Sequence, residues 1–417
     1  MVGNSTSAKS KQQSALSAKT NLEVSVTSTP LDETNDAHWR QWGDLWQIDP
    51  ATTYLNHGSF GPSPLPVREA YRRWQDELQN QPMKFFVHTL EPALRAARSA
   101  MAEFVGCGDG DLIFVENATV GMNIVAASFP LKENDEVLLT DHEYGAVFRI
   151  WQRACSAHRA QVTTAVLPTE FSSAEALVDS IVNALTPNTK LLVVSHITSA
   201  TAVVLPVKQI CAAMRDRGVA VCIDGPHAPV QVPLNIADIE CDFFTASNHK
   251  WLSAPFGSGF LFVAQEHQSR VRPPVLSWGR LKPHPIETWS DEFIWRGTRD
   301  PASFLATQDA IRFINDVTLE AFRARSHHLA QYARKTLTEI TQLDPLVPDD
   351  PNWYASMALV GMPNLEMRDL WEYFRSRNFE VLFERLNEQT WMRVSCHLYN
   401  DHEQIDRLAK TLREFLH

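Results

Sequence analysis

The sequence predicts an α/β protein with a large domain, built on a mostly parallel sheet between helices, and a smaller α+β domain at the C-terminal end. Short apolar runs alternate with amphipathic stretches through the middle of the chain, and after residue 320 this alternation gives way to a long helical stretch and adjacent strands. Strands that alternate with helices favour a parallel sheet, because parallel strands need a crossover connection. At 417 residues the chain is long enough for more than one hydrophobic core.

A βαβ unit in the middle of the chain supports the parallel sheet. Residues 135–140, 190–196 and 219–224 are apolar runs that each lead into polar residues. The segment between the last two runs has apolar residues at the helical period, namely Val207, Ile210, Cys211 and Met214. Gly218 is placed to end this helix. Strand, helix and strand in that order predict a sheet that is covered on both faces.

The C-terminal part predicts a different architecture. Its expected elements are a helix over 320–341, a strand over 356–360, a helix near 365–378 and strands over 379–383 and 391–396. Asn400 and Glu403 predict a capping box at the start of the last helix. The sequence therefore predicts a disordered tail over 1–35, a large α/β domain over 36–318, whose N-terminal segment can pack on the small domain, and a small α+β domain over 319–417.

Charge and cysteine usage limit the function classes. The net charge of −11 argues against nucleic acid and anionic membranes as partners, because phosphate binding needs surplus lysine and arginine. The six cysteines are scattered and form no C-x-x-C pair, which favours a reducing cytoplasm. No histidine spacing typical of a metal site is present, so no metal is expected.

Polar residues follow the predicted strands at their carboxyl ends, where open α/β sheets bind ligands. Asp224 ends one strand, His142 and Tyr144 follow another, and Lys250 lies between two apolar strands. Lysine is rarely buried without a task, and burial lowers its pKa so that the amine becomes a nucleophile. Residues 117–123 open a predicted helix whose free N–H groups suit a phosphate dianion, although they also suit a plain N-cap.

In their order along the chain, these motifs resemble the class-V aminotransferase family of fold-type-I pyridoxal 5′-phosphate (PLP) enzymes. Residues 56–61 and 297–301 are most similar to the isopenicillin N epimerase-like branch of that family. The resemblance covers residues 54–400 approximately. It implies a large-domain sheet of the seven-stranded type, PLP as the cofactor, an amino acid as the substrate, and a homodimer.

The resemblance also implies a role for each matching residue. Lys250 matches the Schiff-base lysine, and Asp224 matches the aspartate that keeps the pyridine nitrogen protonated, so that the ring withdraws electrons from the substrate. Arg393 matches the arginine that holds the substrate carboxylate, although a structural salt bridge is an alternative role for it. Thr298 matches a phosphate contact donated by the neighbouring subunit. The other expected contacts are His142 or Tyr144 on the ring face, His227 at the ring oxygen, Ala118, Thr119, Ser247 and His249 at the phosphate, Thr198 and Ser199 near the ring, and Asn56 and His57 at the substrate.

The sequence departs from the cysteine desulfurases of this family. Those enzymes carry a nucleophilic cysteine upstream of the carboxylate arginine, and no cysteine lies between Phe379 and Arg393. Lys250 is expected to act as general base on the α-proton, with His142 or His57 as a second acid if the reaction is epimerisation. Epimerisation, β-elimination by a C–S lyase and transamination all remain open. A scaffold without catalytic activity is a more distant alternative.

Overall fold

A seven-stranded sheet forms the centre of the larger part of the chain. The computed structural model describes residues 31–280, 285–386 and 388–416. The strands are β1 (Thr53–Tyr54), β2 (Leu112–Val115), β3 (Glu136–Thr140), β4 (Gln161–Ala165), β5 (Thr189–Ser195), β6 (Ala220–Asp224), β7 (Phe243–Ser247), β8 (Gly259–Val263), β9 (Met357–Met362), β10 (Phe379–Glu380), β11 (Leu382–Leu386) and β12 (Gln389–Ser395). The large sheet has the order β2-β8-β7-β6-β5-β3-β4.

Strand direction in this sheet determines where polar side chains meet. Strands β7, β6, β5, β3 and β4 pair in parallel, whereas β8 is antiparallel to both β7 and β2. The expected mostly parallel sheet is therefore confirmed. Because β2, β3, β5, β6 and β7 point the same way, the residues that follow them lie along one edge of the sheet.

Helices cover the sheet and connect its strands. They are α1 (Asp36–Gly43), α2 (Leu65–Asn80), α3 (Leu90–Val105), α4 (Ala118–Ser128), α5 (Gly145–His158), α6 (Ala174–Asn183), α7 (Val207–Arg215), α8 (Ile236–Ile239), α9 (Gln265–Gln268), α10 (Ala302–Leu305), α11 (Thr307–Val317), α12 (Leu319–Thr341), α13 (Met367–Arg375) and α14 (His402–Leu416). Short helical turns occur at Pro82–Lys84, Phe85–Thr89, Asp109–Asp111 and Trp289–Phe293. All four side chains of β2 are buried. A strand that is covered on both faces needs apolar residues at every position, which is why such strands read as continuous apolar runs in the sequence.

A second core lies around a three-stranded antiparallel sheet with the order β11-β12-β9. Buried side chains of α12, α13 and α14 pack with this sheet, among them Leu329, Phe374 and Leu408. The expected single strand over 379–383 is wrong, because β10 pairs in parallel with β1 whereas β11 pairs with β12. The apolar run over 379–383, which looks continuous in the sequence, is therefore split between two strands that have different pairing partners.

The start of α14 also differs from expectation. The side chain of Asp401, not that of Asn400, accepts the N–H of Gln404 at 2.8 Å. Asn400 instead accepts the N–H of His397 and donates to the carbonyl oxygen of Tyr54. The predicted capping box is therefore wrong, because Asn400 joins this helix to β1.

The predicted tail and the predicted domain boundary concern the organisation of the whole chain. Most of the predicted tail over 1–35 lies outside the described residues, and Asp36 is already the first residue of α1. Contacts join Asp32 onward into one compact unit, and the boundary between two domains near residue 318 remains a prediction. Within the described part of the chain, no helix has both the length and the apolar character needed to cross a membrane.

Candidate active site

A cavity of about 380 Å³ lies at the carboxyl edge of the large sheet, where the small sheet faces it. Its walls include the ends of β5, β6 and β7, the start of α4, and residues of β11 and β12. The structure brings together in this wall the following predicted site residues: Lys250, Asp224, His227, Ala118, Thr119, Tyr144, Ser247, His249, Ser199 and Arg393. The cavity is therefore the candidate active site.

Lys250 lies in the loop that follows β7, and its Nζ is 3.1 Å from Nε2 of His227. The other ring nitrogen of His227, Nδ1, accepts the indole N–H of Trp251 at 3.2 Å. A neutral imidazole has one donor and one acceptor, so Nε2 carries the proton and donates to the lysine nitrogen. Such a donor requires a lone pair on Nζ, which means an uncharged amine. Burial, assisted by the charge of Arg393, lowers the pKa of Lys250 to about 7, in agreement with this geometry.

Asp224 ends β6 and supplies a buried carboxylate to the cavity wall. Its side chain is only 5% exposed, and no hydrogen-bond donor among the described residues contacts its carboxylate oxygens. Burial raises the pKa of Asp224, whereas the positive charge of Lys250 lowers it. A buried carboxylate without a protein donor is costly, so this one is suited to accept a proton or an N–H from a bound group.

The start of α4 forms another part of the wall. The side chain of Asn117 accepts the N–H of Val120, and Ser247 Oγ accepts the N–H of Ala118 at 2.9 Å. Nδ1 of His249 is buried and has no hydrogen-bond partner among the described residues. Burial lowers the pKa of His249 to about 4, so the ring is neutral at pH 7. A helix start, a hydroxyl and an imidazole nitrogen together suit a phosphate group.

Arg393 on β12 faces the cavity from the small sheet, with 1% of its surface exposed. Its guanidinium donates to the carbonyl oxygen of Ser199, to Ser59 Oγ at 3.0 Å and, at 3.4 Å, to Asn56 Oδ1. All these acceptors are neutral, and the structural salt bridge considered above is not seen among the described residues. Burial lowers the pKa of Arg393 to about 10. A buried guanidinium whose hydrogen-bond acceptors are all neutral is suited to bind an anionic ligand.

Five predicted site residues do not line the cavity: His142, His57, Asn56, Thr198 and Thr298. His142 directs Nδ1 to the hydroxyl of Thr201 at 2.9 Å and lies edge-on to Phe171. Tyr144, two residues later, lines the cavity instead. The hydroxyl of Thr198 bonds within its own loop, to Thr201 and to the N–H of Val203.

His57 and Asn56 support the site from behind its wall. His57 contacts the carbonyl oxygen of Lys250, and Asn56 contacts Arg393. Thr298 is exposed at the surface of this chain. Asn56 and His57 therefore lie outside the cavity wall where a direct substrate contact was expected, whereas the predicted role of Thr298 at the neighbouring site remains a prediction.

Sequence reasoning assigned no role to Glu143 or Glu384. Glu143 is buried and accepts hydrogen bonds from the hydroxyls of Thr140 and Ser195, each at 2.6 Å, and burial raises its pKa to about 7. Ser195 in turn lines the cavity. Glu143 could have been found from the sequence as the second acidic residue, after Asp141, in the segment that follows β3. Glu384, which lines the cavity from β11, gave no comparable signal because its segment is amphipathic.

Comparison with known proteins gives one consistent result. The family model described as aminotransferase class-V matches residues 63–408. Isopenicillin N epimerase of Amycolatopsis lactamdurans is 34% identical, covering 90% of this chain and 98% of the relative. A putative L-cysteine desulfhydrase of Oryza sativa subsp. japonica is 30% identical, covering 87% of this chain and 83% of the relative. A solved structure of the cystine C–S lyase C-DES superposes with a TM-score of 0.77 at 22% identity, covering 87% of this chain and 97% of that one, and supports the fold.

Proposed function

The chain belongs to the class-V aminotransferase family and is a PLP-dependent enzyme, and from this premise we propose that it acts at the α-carbon of an amino-acid substrate in an isopenicillin N epimerase-like reaction. The observation that carries the proposal is one cavity that holds the amine of Lys250, in contact with His227, together with the carboxylate of Asp224 and the guanidinium of Arg393. These are the groups that a cofactor aldehyde, a pyridine nitrogen and a substrate carboxylate require.

The unpartnered groups of the cavity fit PLP and an amino acid. Asp224 would hold the pyridine nitrogen in its protonated form, because the carboxylate has no competing donor among the described residues. His249, Ser247 and the first residues of α4 would hold the phosphate, and Tyr144 would cover one face of the ring. Arg393 would bind the substrate carboxylate with its planar fork.

The side chains divide the chemistry between them. When bound, PLP supplies an electron sink that lowers the barrier to removal of the α-proton. Lys250 would act as the base at Cα, since a pKa of about 7 leaves part of the amine uncharged near neutral pH. Asp224 would maintain the positive charge on the ring nitrogen, and Arg393 would fix the orientation of the amino acid. His227 stabilises the free amine through its Nε2–H.

A PLP-dependent C–S lyase of the cysteine desulfhydrase or sulfoxide lyase type is the second candidate. One observation favours it: neither His142 nor His57 lines the cavity, so neither histidine is placed as the second acid of an epimerase. In the epimerase reading, Lys250 would serve both faces of Cα or Tyr144 would donate the second proton. The absence of a cysteine between Phe379 and Arg393 disfavours a persulfide-forming desulfurase.

Trapping of the cofactor tests the assignment of Lys250. Borohydride reduction of the protein with bound PLP, followed by peptide mass spectrometry, should place the cofactor mass on Lys250. The Lys250→Ala variant should lose this adduct, whereas Lys208→Ala, which changes an exposed lysine on α7, should keep it. A wild-type adduct on another lysine, or none at all, would refute the proposal. Failure to take up PLP would favour the scaffold reading.

Product analysis distinguishes the epimerase hypothesis from the C–S lyase hypothesis. The holoenzyme is incubated in D₂O with L-alanine, L-cysteine and a cysteine sulfoxide, without an oxo-acid acceptor. Deuterium at Cα with loss of optical purity indicates epimerisation, and release of pyruvate indicates β-elimination. An oxo-acid formed only when an acceptor is added would instead indicate transamination.

We also propose a homodimer in the cytoplasm. Thr298 is exposed and lies outside the cavity wall of its own chain, as expected of a residue that serves the neighbouring site. Phe60 and Tyr144 line the cavity yet remain 67% and 52% exposed, so a second copy would cover apolar surface beside the site.

All six cysteines are free thiols, which suits a reducing compartment. Light scattering should give a dimer mass, and cell fractionation should place the protein in the cytosol.

A further inference from the structure

Glu384 shares one face of the small sheet with Arg393. Antiparallel pairing places Leu382 opposite Arg393 and Glu384 opposite Trp391, and opposite residues in such a ladder point to the same face. Leu382, Glu384 and Arg393 all line the cavity, whereas Phe383 between them is buried in the second core. The alternation along β11 therefore directs the Glu384 carboxylate toward the space next to the carboxylate-binding arginine.

The Glu384 carboxylate lacks a direct partner within the described part of the chain. Glu384 accepts no hydrogen bond and forms no ion pair among the described residues; burial raises its pKa, and Arg393 is close enough to oppose that shift. Arg393 directs its hydrogen bonds to Ser199, Ser59 and Asn56 instead. A half-buried anion that the protein leaves without a donor is suited to a donor from a ligand.

The other titratable groups of the wall already have roles in the proposed function. Lys250, Asp224 and His249 face the cofactor, and Arg393 serves the α-carboxylate. The other wall residue of β11, Leu382, is apolar, as is the neighbouring Phe60. Glu384 is thus the charged side chain left to meet the substrate's own side chain.

We propose that Glu384 is a specificity-determining residue that selects amino acids whose side chain carries a positive charge or a hydrogen-bond donor, and that it rejects acidic side chains. The inference rests on the proposed function, because it takes Arg393 as the site of the α-carboxylate. An ammonium or N–H group beside Glu384 gains a charge-assisted hydrogen bond, whereas a second carboxylate there meets a like charge in a partly desolvated site.

Binding of three amino acids of equal chain length tests the inference. Dissociation constants are measured from the change in cofactor absorbance when the holoenzyme is titrated with L-ornithine, L-norvaline or L-glutamate. The wild type should bind ornithine more tightly than norvaline and glutamate most weakly. Glu384→Gln should weaken ornithine binding roughly tenfold or more, change norvaline binding little and improve glutamate binding. Glu380→Gln on β10, outside the cavity wall, is the matched control and should leave all three constants unchanged.

Each other outcome has a defined meaning. If Glu384→Gln leaves the order of the three ligands as in wild type, the inference is wrong. If the substitution weakens all three equally, Glu384 contacts the common α-ammonium group, which also overturns a role in side-chain selection. If no amino acid perturbs the wild-type absorbance and borohydride marks no lysine, the proposed function itself fails together with the inference.

Discussion

Nε2 of His57 lies 3.0 Å from the carbonyl oxygen of Lys250, so an early segment of the chain holds the backbone of the lysine. A carbonyl only accepts, so Nε2 carries the proton, and Nδ1 accepts the hydroxyl of Tyr399 at 2.9 Å. A Cβ added to Gly61 would lie 2.6 Å from both His57 Nε2 and the same carbonyl oxygen, which shows how closely the segments approach. His57 is therefore a positioning residue, and its pKa, which burial lowers to about 3, makes it unsuitable as a proton donor to substrate.

Tyr399→Phe should destabilise the protein and loosen the Lys250 loop. The substitution removes the donor to Nδ1 of His57 and leaves a buried acceptor unpaired, which costs about 1–3 kcal/mol. Urea unfolding of the apoprotein measures the stability, and cofactor titration measures the affinity for PLP. Tyr332→Phe, which loses a hydrogen bond to Asp406 at the surface, is the control and should cost about 1 kcal/mol or less. Equal losses for the two variants would contradict the positioning role.

The rate of PLP incorporation should rise with pH through about 7, the pKa to which burial lowers Lys250. Only the uncharged amine attacks the aldehyde, so the rate increases as the ammonium loses its proton and levels off above that pKa. Rapid-mixing absorbance at a series of pH values measures the profile.

Two variants should shift this pH profile in opposite directions. Asp224→Asn removes a negative charge that raises the pKa of Lys250, so its profile should move to lower pH. Arg393→Gln removes a positive charge that lowers the pKa of Lys250, so its profile should move to higher pH. Shifts in the same direction for both variants would mean that these charges do not control the lysine.

Arg393→Gln should also weaken substrate binding more than it slows the bound complex. Loss of the charge-assisted hydrogen bonds to the α-carboxylate should raise KM roughly 10- to 100-fold. Arg393→Lys should recover part of this loss, because it retains the charge without the planar fork. Arg385→Gln, an exposed position on β11, serves as the matched control for the small sheet. A normal KM in Arg393→Gln would place the carboxylate site elsewhere.

His397→Phe should flatten the acid side of the stability profile. His397 is buried, and neither ring nitrogen has a partner among the described residues. Burial holds its pKa well below the usual value of 6.5. As the pH falls below 6.5, His397 takes up a proton in the unfolded chain but not in the native state. The contribution of this residue to the free energy of unfolding is therefore complete above this pH and decreases below it.

Urea unfolding between pH 5 and 8 measures the effect of this variant. The free energy of unfolding should fall less steeply than in wild type below pH 6.5, by up to about 1.4 kcal/mol per pH unit. The two slopes should coincide above pH 7, which provides an internal control. Identical slopes at low pH would show that His397 is protonated in the native state.

The sequence predicted the elements and sites that depend on local pattern. The bounds of β3 and β6 agree to within about one residue with the apolar runs at 135–140 and 219–224, because strands buried on both faces need little other information. Asp224 and Lys250 were found because they follow such strands. Their assigned roles toward the cofactor remain predictions.

Long-range contacts explain what the sequence did not reveal. The positioning role of His57 depends on hydrogen bonds to Tyr399 and to the Lys250 carbonyl, and both partners are far from His57 along the chain. His142 leaves the cavity wall because Thr201 in another loop bonds its ring. The break between β10 and β11 occurs at Val381, an apolar residue that gives no sign that the pairing partner changes. Patterns of period two or 3.6 do not contain this information.

The pairing of β1 with β10 joins a strand that is synthesised early to one that is synthesised much later. A ribosome adding about 5 to 20 residues per second releases Thr53 and Tyr54 well before their partner strand exists. The segment around Leu55 therefore lacks its pairing partner until Phe379 and Glu380 have been synthesised, and until then its apolar side chains are not buried in this core. Chains cut short before Phe379 would lack this closure and would be natural targets for chaperones and proteases.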